Sequence, residues 1–535
     1  MVNSLKHSSS TTAQEQSHAT IDKIVIVGGG TAGWLAANHL ASQLKPAPEQ
    51  GMDITVIDSD DIPGIGVGEG TVPMIRQSLQ AFGIDEAKFI RECDVTFKQG
   101  IKFIDWLDTP RTGQSSYYHH LFDYPLVSEI PDLTAYWLNI PVEQRPSYTD
   151  FVAFQGKVCD LGLAPKQITS PQYQGNCQYA YHLDAAKFTR LLQSHAMEHF
   201  GVKLIKANVI DVDINDSGEI NGLKTDHAGM VKADFFVDCS GFHSILLGKA
   251  LGVDFVDKQQ TLFADKALAV QVPYTQTNEP IPSFTKATAK TAGWIWDIGL
   301  TARRGCGYVY SSAHTNEADA ENTFREYLGA EHKNAELRQI DMKVGYRDKF
   351  WHKNCVAIGL SQGFVEPLEA TGLLVFDVTA KMLAQQFPAN KALMPLVAEQ
   401  FNRNVQQSWE RVIDFIKLHY FLSRRDDSEF WLDNRNFESL SSTLQERIQR
   451  WRWQLPSAYD FSSGYEIFNL ENYLYVLYGM EFETDLRQSQ YRYHQQDRVQ
   501  QLQQQLLQHS QQLANLLPEH RQLLDKIQQF GLQRQ

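Results

Sequence analysis

The first apolar run, residues 24–27 (IVIV), gives way to Gly28-Gly29-Gly30-Thr31-Ala32-Gly33, and apolar positions then resume at helical spacing from Trp34 to Leu44. That order predicts a strand, a glycine-rich turn and a helix. A second run, Ile54 to Ile57, ends on Asp58. Phe235-Phe236-Val237-Asp238 and Cys355-Val356-Ala357-Ile358-Gly359 read as further buried strands running into glycine turns. Buried strands so far apart in sequence predict one α/β nucleotide-binding domain assembled from distant segments, with strand-rich and helical insertions carrying the substrate site. Gly293 to Leu300 (GWIWDIGL) alternates Trp294, Trp296 and Ile298 with Ile295 and Asp297, the period of a strand whose aromatic face packs into a core. From about Ala398 the pattern turns helical through Trp409, Val412, Ile413, Ile416 and Leu418 to Phe421. Near the end, in a Gln-dominated stretch, Val499, Leu502, Leu506, Leu513 and Leu516 fall on one helical face before Pro518. Such a face suits docking on the rest of the chain, or a homodimer contact.

Composition narrows the picture modestly. With 535 residues, 43% of them hydrophobic, the chain is long enough for more than one domain and a large core. A net charge of -14 without a basic cluster argues against nucleic acid or an anionic membrane as partner. Residues 1–20, rich in Ser, Thr, Gln and His, read as a disordered leader without the apolar core of a signal peptide. No run reaches the length of a membrane span, so a cytoplasmic location is expected. The six cysteines are scattered without a Cys-x-x-Cys pair, which implies neither a zinc site nor a disulfide framework.

The 28–33 turn has a mechanical reading. Glycines let the backbone approach a pyrophosphate while the following helix aims its amino terminus at it, and Asp58 is placed to bond ribose hydroxyls. A second glycine-dense block, Gly64-Ile65-Gly66-Val67-Gly68-Glu69-Gly70-Thr71-Val72-Pro73, suggests backbone passing close to a ligand.

Beyond these lie FK-x-x-IKF at Phe97 to Phe103, YHHLF at Tyr118 to Phe122, VDCSGF at Val237 to Phe242, the W-x-W-x-I strand, and AIGLSQGFVEPLEATG at Ala357 to Gly372. As an ordered set, from about Lys23 to about Glu481, they resemble the flavin-dependent halogenases of the tryptophan halogenase family. The resemblance implies a Rossmann-like FAD-binding fold of the GR2 flavoprotein monooxygenase type with an inserted sheet and a mostly helical substrate region. It divides the chain into an FAD-binding domain (21–108 with 176–395), a largely helical substrate region (109–175 with 396–484) and Gln-rich C-terminal helices (485–535). FAD would lie on Gly28, Gly30, Thr31, Ala32, Gly33 and Asp58, with Val209, Leu360 and Leu373 as further contacts.

In such enzymes a flavin hydroperoxide, formed from FADH2 and molecular oxygen, reacts with chloride or bromide to give hypohalous acid, which crosses a tunnel to a lysine. Carried over by motif, that lysine is Lys98. It acts either as a haloamine or as a hydrogen-bond donor to the hypohalous acid. Glu369 is the active-site carboxylate, and the Thr371 and Gly372 amides bind halide. His120, Phe122 and Tyr473 face the substrate, and Trp294 and Trp296 wall the tunnel. The chain departs from the family pattern at Gly299, usually proline, at Ala370, often serine, and at Glu471-Asn472-Tyr473-Leu474-Tyr475, which offers only one tyrosine of the pair that tryptophan-specific members use. An indole, phenol or other electron-rich arene is therefore expected rather than free tryptophan. A single dinucleotide fingerprint fits a two-component system fed by a separate flavin reductase. An FAD-dependent aromatic monooxygenase and a non-catalytic flavin-binding protein are the alternative readings.

Overall fold

The computed structural model describes residues 19–45, 51–61, 68–110, 115–126, 130–276, 278–461, 463–464 and 466–533. Gly64 and Gly66 of the second glycine block, and residues 1–18 of the expected leader, lie outside the described residues. The dinucleotide-type signature opens a six-stranded sheet ordered Trp351–His352, Cys355–Ala357, Phe235–Asp238, Lys23–Val27, Asp53–Asp58, Lys203–Lys206. Its pairs are parallel apart from the first. Ile24, Ile26, Phe235 and Val237 feed the main core, whereas Val25, Val27 and Phe236 feed a second core on the opposite face. Burial on both faces explains why these strands read as unbroken apolar runs.

The helix Thr31–Leu44 covers the main-core face and is itself covered by helices Ala185–Phe200 and Thr371–Gln385. That is why Trp34, Leu35, Ala36, Ala37, Leu40 and Ala41 are all buried. The turn into this helix requires glycine at two positions. Gly28 has φ +113°, and a Cβ there would stand 2.2 Å from the Cys239 carbonyl oxygen; a Cβ on Gly33 would stand 1.9 Å from the Gly28 carbonyl oxygen.

A seven-stranded sheet runs Arg338–Asp341, Lys266–Pro273, Arg303–Tyr310, Gly293–Gly299, Thr285–Lys290, Gly100–Ile104, Tyr117–Leu121. The Trp-x-Trp strand is interior to it, and all seven of its residues are buried. Trp294, Trp296 and Ile298 enter the main core while Ile295 joins a cluster under the helix Glu317–Leu328, so period two here serves two buried faces. A small sheet, Gly68–Gly70, Ala180–Asp184, Thr96–Lys98, stands beside it and carries Lys98.

The C-terminal region is helical. Met394–Leu422 runs 29 residues, followed by Ser442–Trp451, Leu470–Gly479, Gln496–Leu516 and His520–Phe530. The Gln-rich helix docks on this same chain, against Gln155–Asp160 and Asp132–Asn139, through the face of Val499, Leu502, Leu506 and Leu513. The six cysteines are free. No helix among the described residues is long and apolar enough to cross a membrane.

Candidate active site

At the carboxyl end of the parallel strands, the glycine turn meets Asp58. Gly29 N–H donates to Asp58 Oδ1 at 3.1 Å, and Lys206 Nζ lies 2.7 Å from Asp58 Oδ2. A Cβ on Gly30 would meet nothing within 4 Å, and no side chain caps the helix that begins at Thr31. Open space in front of uncapped amides is the arrangement a pyrophosphate needs. Ala32 packs against this end of the 359–361 turn, since a Cβ on Gly359 would stand 2.6 Å from its methyl; Leu360 is the next residue of that turn. Val209 begins the strand just beyond Ala207, whose N–H donates to the Asp58 carbonyl at 3.0 Å. Leu373 sits in the first turn of Thr371–Gln385, the helix packed on Thr31–Leu44. These residues fit an adenine dinucleotide.

The same helix starts without a cap. Ala370 takes left-handed backbone, φ 55°, which turns the chain into the helix, and no side chain bonds the free amides of its first turn. A Cβ on Gly372 would reach only Phe376, at 4.0 Å. The amides of Thr371 and Gly372 thus meet the requirement for an anion site.

Lys98 is 1% exposed. Its Nζ lies 5.4 Å from the centre of the Phe122 ring, and among the described residues no hydrogen bond or ion pair engages it. Burial lowers the amine from its ordinary 10.5 to about 7, opposed by the negative charge of Glu369. A lysine so placed holds both its neutral and its charged form within reach of neutral pH.

Glu369 is buried between two histidines. His120 Nδ1 stands 2.9 Å from both carboxylate oxygens, and His419 Nε2 stands 2.8 Å from Oε1. Burial alone would push this carboxyl up; the two rings override it and bring it down to about 2. Asn472 fixes the His120 tautomer. Its Oδ1 accepts from Asn469 N–H at 3.0 Å, so its Nδ2 donates to His120 Nε2 at 2.9 Å and leaves the ring proton on Nδ1, facing Glu369. The other ring, His419, has Nδ1 at 2.8 Å from the Phe415 carbonyl, so both its nitrogens face acceptors.

The indole pair lies at the other end of a run of ring contacts. Trp296 and Trp294 are 6.4 Å apart, Trp294 and Trp106 6.4 Å, and Trp106 and His419 6.2 Å, which leads back to Glu369. Trp294 Nε1–H donates to Glu366 Oε2 at 2.6 Å, and the Tyr420 hydroxyl donates to the same oxygen at 2.5 Å. Burial raises Glu366 to about 7 against those two bonds and Lys417, and among the described residues its Oε1 has no hydrogen-bond partner. The Trp296 ring lies across Gly307, where a Cβ would stand 2.0 Å from it. Gly299 holds its place without proline: it pairs with Arg304, and the Thr96 hydroxyl donates to its carbonyl at 2.6 Å.

The structure therefore sets Lys98 beside Phe122, His120 on Glu369, and Trp294 and Trp296 within one aromatic run. Tyr473 reaches them through Phe415, whose ring lies 4.9 Å from the Tyr473 ring and 5.8 Å from His120. On the helix Leu470–Gly479, Asn472 and Tyr475 face His120, whereas Tyr473 is turned towards Arg447 (3.4 Å), Trp451 and Phe461. A helix cannot present positions 472 and 473 to one point, because successive side chains diverge by about 100°. Sequence reasoning passed over His419, Asn472 and Glu366. The available signal was an ionisable residue within an apolar helical run, as in Ile416-Lys417-Leu418-His419-Tyr420. His119, one residue from His120, points to the opposite face and bonds Asp160 at 3.0 Å.

Comparison with known proteins agrees with this geometry. The tryptophan halogenase family model matches residues 23–496. The chain is 36% identical to tryptophan 6-halogenase SttH of Streptomyces toxytricini, over 86% of this chain and 89% of the relative. It is 33% identical to tryptophan 7-halogenase RebH of Lentzea aerocolonigenes, over 87% and 90%. A solved tryptophan halogenase from Shewanella frigidimarina superposes with a TM-score of 0.91 at 43% identity, covering 96% of this chain and 99% of that one. On the family match, the sequence identities and the superposition together, this chain belongs to the tryptophan halogenase family and is a flavin-dependent halogenase.

Proposed function

We propose that the chain is an FADH2-dependent halogenase that uses chloride or bromide and molecular oxygen, supplied with reduced flavin by a separate flavin reductase, and that its substrate is an indole, phenol or other electron-rich arene. The single observation that carries this reading is the buried, unpaired Lys98 amine set against Phe122 and within the field of Glu369. Gly28, Gly30, Thr31, Ala32, Gly33, Asp58, Val209, Leu360 and Leu373, in a domain of the GR2 monooxygenase type (21–108 with 176–395), would hold FAD, which in its reduced form with molecular oxygen would supply the two-electron oxidation of halide to hypohalous acid. The amides of Thr371 and Gly372 hold the halide.

The residues of the chain divide the remaining work. Trp294 and Trp296 crowd the passage and keep the arene away from the flavin, a task bulky fixed rings do well in a close-packed wall. Lys98 receives the hypohalous acid and presents the halogen to the ring. Glu369, ionised between His120 and His419, stabilises the positive charge that builds on the arene and accepts the proton that leaves it. Phe122 and His120 hold the ring in the substrate region (109–175 with 396–484).

The relatives named above are tryptophan halogenases by name. Here the side chains around His120 are Glu369, Asn472, Phe415 and Tyr475. None of them is a cation that would pair with an amino-acid carboxylate, which supports a neutral arene. The test is turnover with a flavin reductase, NADH, FAD, oxygen and chloride or bromide, screening indoles, phenols and tryptophan by mass spectrometry. A halogen isotope pattern that vanishes in Lys98→Ala is the expected result. Hydroxylated product that survives Lys98→Ala would replace this reading with a monooxygenase.

A further inference from the structure

The strand that carries Lys98 is held on its free side by the far end of the chain. Thr96–Lys98 lies at the edge of its small sheet and, among the described residues, pairs only with Ala180–Asp184, so the Phe97 amide points away from its partner strand. That amide donates to His520 Nε2 at 2.9 Å. The same ring's Nδ1 lies 3.0 Å from the Ile281 carbonyl. A backbone amide only donates and a carbonyl only accepts, so the ring is held as the neutral tautomer with its proton on Nδ1.

Lys98's other neighbour is braced by the same segment. Gln99 N–H donates to the Ser283 carbonyl at 2.7 Å, and its side chain donates to the Leu163 carbonyl at 2.9 Å. Leu163 in turn bridges to Glu519, Ala164 N–H donates to the Pro518 carbonyl, and His520 N–H donates to the Gly162 carbonyl. The helix His520–Phe530 anchors the segment through buried Leu523, Leu524 and Ile527 against Glu86–Glu92. Among the described residues no hydrogen bond holds the Lys98 amine itself, so its position follows from its backbone. The family match ends at residue 496, ahead of this segment.

We propose that residues 518–530 form a positioning element for the catalytic lysine and that His520, through the Phe97 amide, is its positioning residue. This rests on reading Lys98 as the amine that receives hypohalous acid. Loss of the Phe97 bond lets the edge strand shift, and a displaced amine lets hypohalous acid escape instead of reaching the arene.

Two variants of the full chain separate positioning from simple stability. His520→Asn places an amide donor where Nδ1 was, keeping the Ile281 contact and losing the acceptor for Phe97. His520→Gln places an amide oxygen where Nε2 was and keeps that acceptor. The readouts are halogenated product per reduced flavin oxidised, hypohalous acid caught by an added trap, and the pH midpoint of Lys98 carbamylation by cyanate, followed by peptide mass spectrometry. In His520→Asn, product per flavin should fall about tenfold, trapped hypohalous acid should rise, and the carbamylation midpoint should move up from its starting value near 7, while FAD affinity stays unchanged. His520→Gln should behave like the natural chain. Unchanged coupling and midpoint in His520→Asn would overturn the proposal, and so would equal losses in both variants that track their melting temperatures. Should the natural chain fail to halogenate at all, the functional reading fails by itself. The carbamylation midpoint, which needs no turnover, then decides whether His520 positions Lys98.

Discussion

Replacing Lys98 with methionine should stabilise the protein while abolishing halogenation, and the gain should depend on pH in a defined direction. An amine that falls from 10.5 in the unfolded chain to about 7 when buried carries a penalty on its charged form of roughly 5 kcal/mol. Between those two values the unfolded chain binds the proton and the folded chain releases it, so folded stability rises with pH across the window. At pH 7 the lysine costs about 4 kcal/mol; at pH 9.5 it costs about 1 kcal/mol. Methionine fills a similar volume without charge, so Lys98→Met recovers that cost. For a chain of 535 residues, the usual unfolding entropy per residue converts 1 kcal/mol to about 1 °C. Melting scans at matched rate should therefore place Lys98→Met about 4 °C above the natural chain at pH 7 and about 1 °C above it at pH 9.5. A difference that stays constant over this range, or a variant that melts below the natural chain at pH 7, would show that Lys98 is not a desolvated amine and would remove the basis of its assigned role.

Three further outcomes follow from the geometry. Glu369→Gln should slow product formation by about 10² to 10⁴-fold, the usual worth of a positioned acid or base, with FAD affinity unchanged, as single-turnover kinetics and flavin fluorescence would read. Gly307→Val drives a side chain into the Trp296 ring, where a Cβ alone would stand at 2.0 Å; it should cost about 1–3 kcal/mol by overpacking and lower halogenated product per flavin oxidised. Gly299→Pro should lower the melting temperature although proline is common there in the family, because a Cβ at this position meets Ile281 Cγ2 at 2.8 Å and the Tyr274 hydroxyl at 2.9 Å. A melting temperature at or above that of the natural chain would show that Ile281 and Tyr274 yield freely.

The parallel sheet was legible because its strands are buried on both faces and its first turn demands glycine, so burial and backbone conformation both leave marks in the residue order. Gly28 and Gly33 are such marks. Lys98 was legible only through its motif: nothing in the spacing of Phe97-Lys98-Gln99-Gly100 tells a surface lysine from one that is 1% exposed. Tyr473 shows the reverse, since a motif position marks a neighbourhood while helical rotation decides which residue faces it, and the face belongs to Asn472 and Tyr475. His520 was out of reach because its partner amide is 423 residues away and is a backbone group, which has no signature in sequence. The Gln-rich tail suggested a docking surface; what docks there reaches the residue next to Lys98.

The placing of Glu366 and Glu369 is set by local geometry. Glu366 and Glu369 are three residues apart in the turn before the helix Thr371–Gln385, and each is met by a neighbouring residue of Met394–Leu422: Tyr420 bonds Glu366 while His419 bonds Glu369. Glu366 then holds the Trp294 indole, and Glu369 holds His120. The two carboxylates are buried alike yet driven apart in acidity, one raised to about 7 and the other lowered to about 2, because hydroxyl and indole donors face the first while two imidazoles face the second. Trp294 and His120 are thus tied, through Glu366 and Glu369, to the same turn and the same helix. A shift of that helix would move Tyr420 and His419 together, so the two carboxylates and the rings they hold are coupled by covalent spacing along two short segments.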